Sequence, residues 1–251
     1  MSEATETGRT LNGHTYTDAP VDVKLGPNTF RIPANYLDSQ IAPWPGEGVS
    51  LVIEWPDMKP TPPGARANPR TNDFRKEIRI LVDHIDRVPI ESLLQRQVSN
   101  DAITVEGSLE RNDPSKRLDL RVAQPEQLGL TPYAFNEALM AEYARAYETK
   151  YGAPHPRNPA YEDDWYIGRD AAGQLSTFIK CDSRRHREDG LQINGSEVVN
   201  TDSRTVASCT HYIVDTESSL SISLYYSRVF LKDWKAMEVV VRDVLNHSEV
   251  K

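Results

Sequence analysis

VASCTHYIVDTESSLSISLYYSR, residues 206–228, reads as two strands joined by a tight turn. Val206–Asp215 and Leu220–Arg228 flank Thr216–Ser219. In the second strand Leu220, Ile222, Leu224 and Tyr226 alternate with Ser221, Ser223 and Tyr225, the two-residue period of a sheet with one buried face. Upstream, Asp164–Gly168 and Gln174–Cys181 flank a turn containing Asp170 and Gly173, which predicts a second antiparallel hairpin. Between the two, Leu191–Val198 carries Asn194–Gly195, a pair whose left-handed preference suits a two-residue hairpin. Downstream, Leu231, Trp234, Met237, Val241, Val244 and Leu245 form one apolar helix face, suited to covering the sheet.

The earlier part of the chain extends this pattern. Strands are expected at Val21–Leu25, Thr29–Ile32, Val49–Trp55 and Glu77–Ile85, and weaker ones at 103–107 and 117–122 around a turn at Asn112–Asp113–Pro114. A connection with five prolines, Pro56–Asp73, predicts an extended surface loop. Pro89 suits the first turn of a short helix, Pro89–Gln97. A central helix is expected to start at Thr131 as cap with Pro132 at its first position. Its apolar residues would be Phe135, Leu139, Met140, Tyr143 and Tyr147, and Gly152 with Pro154 would stop it. The fold class is α+β: mostly antiparallel sheets, a central helix and a C-terminal covering helix. Strand-into-helix units at 77–97 and 219–246 suggest two similar halves, 14–125 and 126–251, within one continuous domain or as two.

Composition narrows the function. The 251 residues carry 29 Lys+Arg against 37 Asp+Glu, a net charge of −8, which argues against nucleic acid and anionic membrane as partners. No apolar run reaches the roughly 18 residues of a membrane span. Residues 1–13 are polar and lack the apolar stretch of a signal peptide.

Catalytic signatures are missing. There is no Gly-x-Ser-x-Gly elbow, no phosphate-cradling glycine loop, no His-x-Lys pair, and none of the six histidines lies in HExxH. No cofactor is expected. The two cysteines, Cys181 and Cys209, are open to three readings: a disulfide across neighbouring strands, two free thiols, or a zinc site with His186 and His211. The pairing across strands is the simplest, and it would tie the loop 182–208 to the sheet in an oxidising compartment. His84, on an apolar strand, reads as structural. Glu162, Asp163 and Asp164 run consecutively, so alternation separates them and they do not make a convergent catalytic pair. Arg184, Arg185, His186 and Arg187, followed by Glu188 and Asp189, read as a mixed-charge loop or a docking element.

Two stretches carry a family likeness. KLGPNTFRIPANYLD (24–38) contains Phe30, Ile32, Pro33, Asn35 and Tyr36, and EWPDMKP (54–60) contains Trp55, Pro56 and Asp57. Near the C-terminus come Cys209, His211 and Tyr212, then Leu231, Asp233 and Trp234. Over roughly 24–60 and 206–245 the chain resembles the periplasmic immunity proteins of type VI secretion phospholipase D effectors in pseudomonads. The resemblance implies a non-enzymatic inhibitor that binds a secreted lipase. It also implies a periplasmic location, with the leader removed and Cys181–Cys209 oxidised. An acidic protein is suited to approach the cationic site of a phosphodiester-cleaving enzyme. The expected contact residues are Tyr161, Glu162, Asp163, Asp164 and Trp165 in one segment, and Arg184, Arg185, Arg187, Glu188 and Asp189 in another. The alternatives are a non-catalytic envelope scaffold and a hydrolase whose site no motif reveals.

Overall fold

The computed structural model describes residues 5–44, 48–158 and 161–250. The elements that build its main sheet begin with β5 (Gly48–Glu54) and β6 (Glu77–His84), preceded by the hairpins β1 (Thr7–Leu11)–β2 (His14–Thr17) and β3 (Pro20–Leu25)–β4 (Asn28–Pro33). Then follow α1 (Leu93–Ser99), β7 (Val122–Ala123), β8 (Thr131–Ala134), α2 (Glu137–Tyr151), β9 (Asp163–Arg169) and β10 (Leu175–Asp182). The chain closes with β11 (Leu191–Asn194), β12 (Glu197–Asn200), β13 (Ser208–Asp215), β14 (Leu220–Ser227) and α3 (Trp234–Ser248). Eight strands form one antiparallel sheet in the order β5-β6-β14-β13-β10-β9-β8-β7. The α+β class with a C-terminal covering helix is therefore the observed one.

Register assigns the two faces. Ile179 lies opposite His211, which lies opposite Leu224, which lies opposite Ile80 and then Leu51. This face is covered by α3, through Trp234, Met237, Val241 and Leu245, and by the β3–β4 hairpin, through Val23, Leu25, Phe30 and Ile32. On the other face Leu94 and Val98 of α1, with Leu118, pack on Trp165, Ile167 and Phe178. The two strand-into-helix units thus diverge: their strands pair directly, Ile80 with Leu224, while α1 and α3 cover opposite faces.

Four local expectations change. Thr131 and Pro132 lie in strand β8, paired with Ile167 and Tyr166, because ladder bonds to β9 outweigh the local helix signal. Helix α2 starts later, where the Asn136 side chain accepts from the Leu139 amide at 3.3 Å, and it ends at Gly152 with φ 68°. Residues 103–107 form no strand: the Ile103 amide donates to the Asn100 carbonyl, the Ser108 amide to that of Val105, and Arg111 to that of Ile103, so turns and a side chain take up bonds a ladder would use. The stretch 117–122 supplies only a 3-10 turn at Leu118–Leu120 and the start of β7.

The proline-rich connection is packed rather than superficial. Thr61, Ala65 and Arg66 are buried, and Gln40 and Arg66 meet on Thr61 Oγ1. The β1–β2 hairpin closes over this connection, with Arg9 donating to the carbonyls of Gly64 and Pro69. That hairpin turns on Asn12–Gly13, both left-handed, with φ of 51° and 79°.

Candidate partner-binding site

The two predicted contact segments lie together at one end of the sheet. Strand β9 begins at Asp163 and its neighbour β10 ends at Asp182, so residues 161–164 and 183–189 leave adjacent strands on the same side. Asp164 joins them, its carboxylate accepting from Ser183 Oγ at 2.8 Å and from the Arg184 amide at 3.0 Å. The Ser183 amide in turn donates to the Glu162 carbonyl at 2.9 Å. Arg228, 2% exposed, fixes the far side of the loop: it pairs with Asp189 at 2.6 Å and donates to the carbonyls of Arg187 and Asp182.

Among the carboxylates of these segments, Glu162, Asp164 and Asp189 are engaged within the protein. Glu162 is 7% exposed and binds Arg157 at 2.5 Å, with His186 Nε2 at 3.3 Å. Asp163 is half-buried; burial pushes its carboxyl above the usual range, against the pull of nearby Lys180. Arg187 holds Asp182 at 3.0 Å. Glu137, at the start of α2, bridges Arg157 (2.8 Å) and Arg185 (3.1 Å), and the Arg157 hydrogen bond holds its carboxyl below the ordinary value. Trp165 is 2% exposed, against Phe178 and under the Arg121 guanidinium 3.8 Å from its ring, so it anchors the interior and presents nothing to a partner. The expectation of an acidic, tryptophan-bearing contact surface is therefore corrected for Glu162 and Trp165, whose side chains are inside.

What remains outward is aromatic, with cationic side chains beside it. Tyr161 is 80% exposed, Arg184 and Arg185 are exposed, and so is Glu188. Tyrosine and arginine are the residue types that carry binding energy at protein interfaces, because each combines a large contact area with directional donors. Sequence reading missed Glu137, Arg157 and Arg228, which hold the surface in shape; Glu137 and Arg228 lie far from both segments in sequence, and although Arg157 is five residues from Glu162 no local pattern marks its pairing.

Cys181 and Cys209 are opposite one another on β10 and β13 and form a disulfide, buried, with Cα atoms 4.0 Å apart. The zinc alternative is set aside by placement. His186 sits at Glu162 and His211 bonds Glu238 at 2.8 Å, and among the described residues no three His, Cys, Asp or Glu side chains converge as a metal would require. Among those residues, too, no helix is long and apolar enough to cross a membrane.

No family model matches the chain, and no curated protein matches it significantly. A solved structure does: Smlt3025, an immunity protein of the Stenotrophomonas maltophilia type IV secretion system, is 66% identical, with a TM-score of 0.95, covering 99% of this chain and 100% of its own. At that identity and coverage the two chains share one fold over their full length. The chain belongs to the family of secretion-system immunity proteins that Smlt3025 represents.

Proposed function

We propose that this protein binds and neutralises a secreted antibacterial effector, protecting the producing cell, and that it does so in the periplasm. The observation that carries this reading is the full-length likeness to an immunity protein at 66% identity. The Cys181–Cys209 disulfide supports an oxidising compartment. We take the delivery route from the solved relative, a type IV system, in place of the type VI route implied by the sequence resemblance. The contact surface in this reading is the sheet end carrying Tyr161, Arg184 and Arg185, with Glu188 at its margin.

For the effector's chemistry we carry forward the phospholipase D class. The support is electrostatic: a phosphodiester-cleaving enzyme needs a cationic site, and a partner of net charge −8 is drawn towards it. Capture with the tagged protein from its host, followed by mass spectrometry, tests the binding reading. Stoichiometric recovery of one secreted protein, toxic when expressed in the periplasm and harmless with this chain beside it, is the expected result. Recovery of nothing from cells that express effectors overturns it. Vesicle hydrolysis by the captured effector, abolished at one equivalent of this protein, tests the lipase class; an effector inactive on phospholipid overturns that part alone.

A further inference from the structure

Arg121 is 8% exposed, and its guanidinium lies between the rings of Trp165 and Phe135, 3.8 and 4.2 Å from their centroids. It donates to the carbonyls of Asp163 (3.1 Å) and Ser115 (3.0 Å) and has no carboxylate within salt-bridge distance among the described residues. Burial lowers its pKa to about 10. The carboxylates of Asp163, Asp164, Glu162 and Asp113 act on it only from a distance.

This arginine lines a cleft of about 500 Å³ between α1 and residues 117–123. Gln95, Ser99, Arg117, Tyr133 and Arg169 supply the other hydrogen-bonding walls. Two carboxylates also line it, and each already holds an arginine: Asp119 binds Arg117 at 2.6 Å, and Asp101 binds Arg111 at 3.1 Å. Arg169 donates to the Gly173 carbonyl at 3.0 Å. Of the three lining arginines, Arg117 is held by Asp119, whereas the guanidiniums of Arg121 and Arg169 bond to backbone carbonyls and to no carboxylate among the described residues. Ser99 Oγ and Arg121 Nε are both buried and have no hydrogen-bond partner among the described residues. Buried donors without partners are costly, and water or a ligand acceptor relieves them. A planar guanidinium matches a carboxylate in geometry as well as in charge.

We propose that this cleft is a carboxylate-binding site, and, resting on the function proposed above, that an aspartate or glutamate side chain of the effector supplies the carboxylate. The cleft suits that occupant because a stacked, largely desolvated arginine rewards an acceptor brought in with a protein surface that excludes water behind it. A free carboxylate in the periplasm shares the chemistry, and the experiment separates the two sources.

The first arm titrates the ¹⁵N-labelled protein with N-acetylglutamate amide at millimolar concentration, with N-acetylglutamine amide as the neutral probe. Expected are saturable shifts around Ser99, Ala123 and Arg169 and at the Trp165 indole from the acidic probe only. Arg169→Gln is an exposed change that leaves the core intact, and it should weaken that binding at least about fivefold. Arg121→Lys, which keeps the charge and loses the fork, should weaken it further if that variant folds. Equal shifts from both probes, no shifts, or shifts untouched by Arg169→Gln overturn the site. The second arm measures retention of the captured effector by Arg169→Gln. A loss of about tenfold supports the effector as source. Unchanged retention with probe binding abolished overturns that source and leaves a site for free carboxylates. Failure to capture any effector with the wild-type protein bears on the proposed function alone, since the probe arm still reads the cleft.

Discussion

The Trp55 indole donates to Asp233 Oδ2 at 2.9 Å while its ring stacks on Phe230 at 5.1 Å, joining positions 178 residues apart in the chain. Trp55 leaves β5 and Asp233 precedes α3, so one contact fixes where the closing helix begins relative to the sheet edge. Both residues belong to the stretches that carried the family likeness, and Phe30 and Ile32 of those stretches are buried beneath α3 in the same core. The likeness therefore records how this fold is held together, and the contact surface we propose uses other residues.

Trp55→Phe keeps the stacking and removes the donor, leaving a part-buried carboxylate short of one hydrogen bond. A loss of about 1–2 kcal/mol in urea unfolding is expected. Trp55→Ala removes the ring as well and should cost about 3–5 kcal/mol. Effector affinity, measured well below the melting temperature, should stay at the wild-type value for Trp55→Phe. A tenfold loss of affinity with the fold intact would place Trp55 in the interface and contradict this assignment.

The disulfide closes a loop of 28 residues that carries the β11–β12 hairpin and the 183–189 turn. Loop closure of that size predicts about 3–4 kcal/mol of stabilisation, lost in Cys181→Ser/Cys209→Ser. Thiol titration of the unreduced, denatured protein should find no reactive group. Two titratable thiols per chain would remove this term and the compartment argument with it.

At the proposed contact surface, Tyr161→Ala and Arg184→Ala are each expected to weaken effector binding by about 1–2 kcal/mol, roughly tenfold, without changing the circular dichroism spectrum. Asp164→Ala should act differently. It frees the Ser183 hydroxyl and the Arg184 amide, so the turn loosens and the loss appears mainly as faster dissociation, with increased hydrogen exchange at 183–187. Wild-type affinity in all three variants would move the interface away from this end of the sheet.

Glu137 gives the site an acid limit. Its folded-state pKa lies below the ordinary 4.5 because Arg157, and then Arg185, donate to the carboxylate. A carboxyl with a depressed folded pKa binds fewer protons folded than unfolded, so its contribution is complete above about pH 4.5 and fades as pH falls through the lower, folded value. Glu137→Gln should therefore lower the stability at neutral pH slightly and flatten its decline below pH 4.5. Because the pair is largely exposed, salt should shrink the difference. Parallel pH–stability curves for the two proteins would show that the bridge contributes nothing.

Local pattern alone revealed much of this molecule. The alternation from Leu220 to Tyr226, the Asp170–Gly173 turn, the Asn194–Gly195 hairpin and the apolar face of α3 were all legible, because each depends on residues close in sequence. The same kind of signal stood unread at Asn12–Gly13, which turns the first hairpin. Thr131–Pro132 was misread because its strand depends on β9, more than thirty residues on, and no local pattern encodes that pairing.

The sequence by itself determined which residues alternate, which turn and which face of α3 is apolar, since dihedral preference and side-chain periodicity are properties of neighbours. Tertiary structure alone decided that β6 pairs with β14, that residues 161–164 and 183–189 lie together, and that the Glu162 carboxylate turns inward to Arg157 and His186 while Tyr161 and Arg184 face out. Long-range strand pairing sets those positions. A charged side chain then takes whichever of solvent or counter-ion its strand brings within reach, and a single chain of letters does not contain that distance.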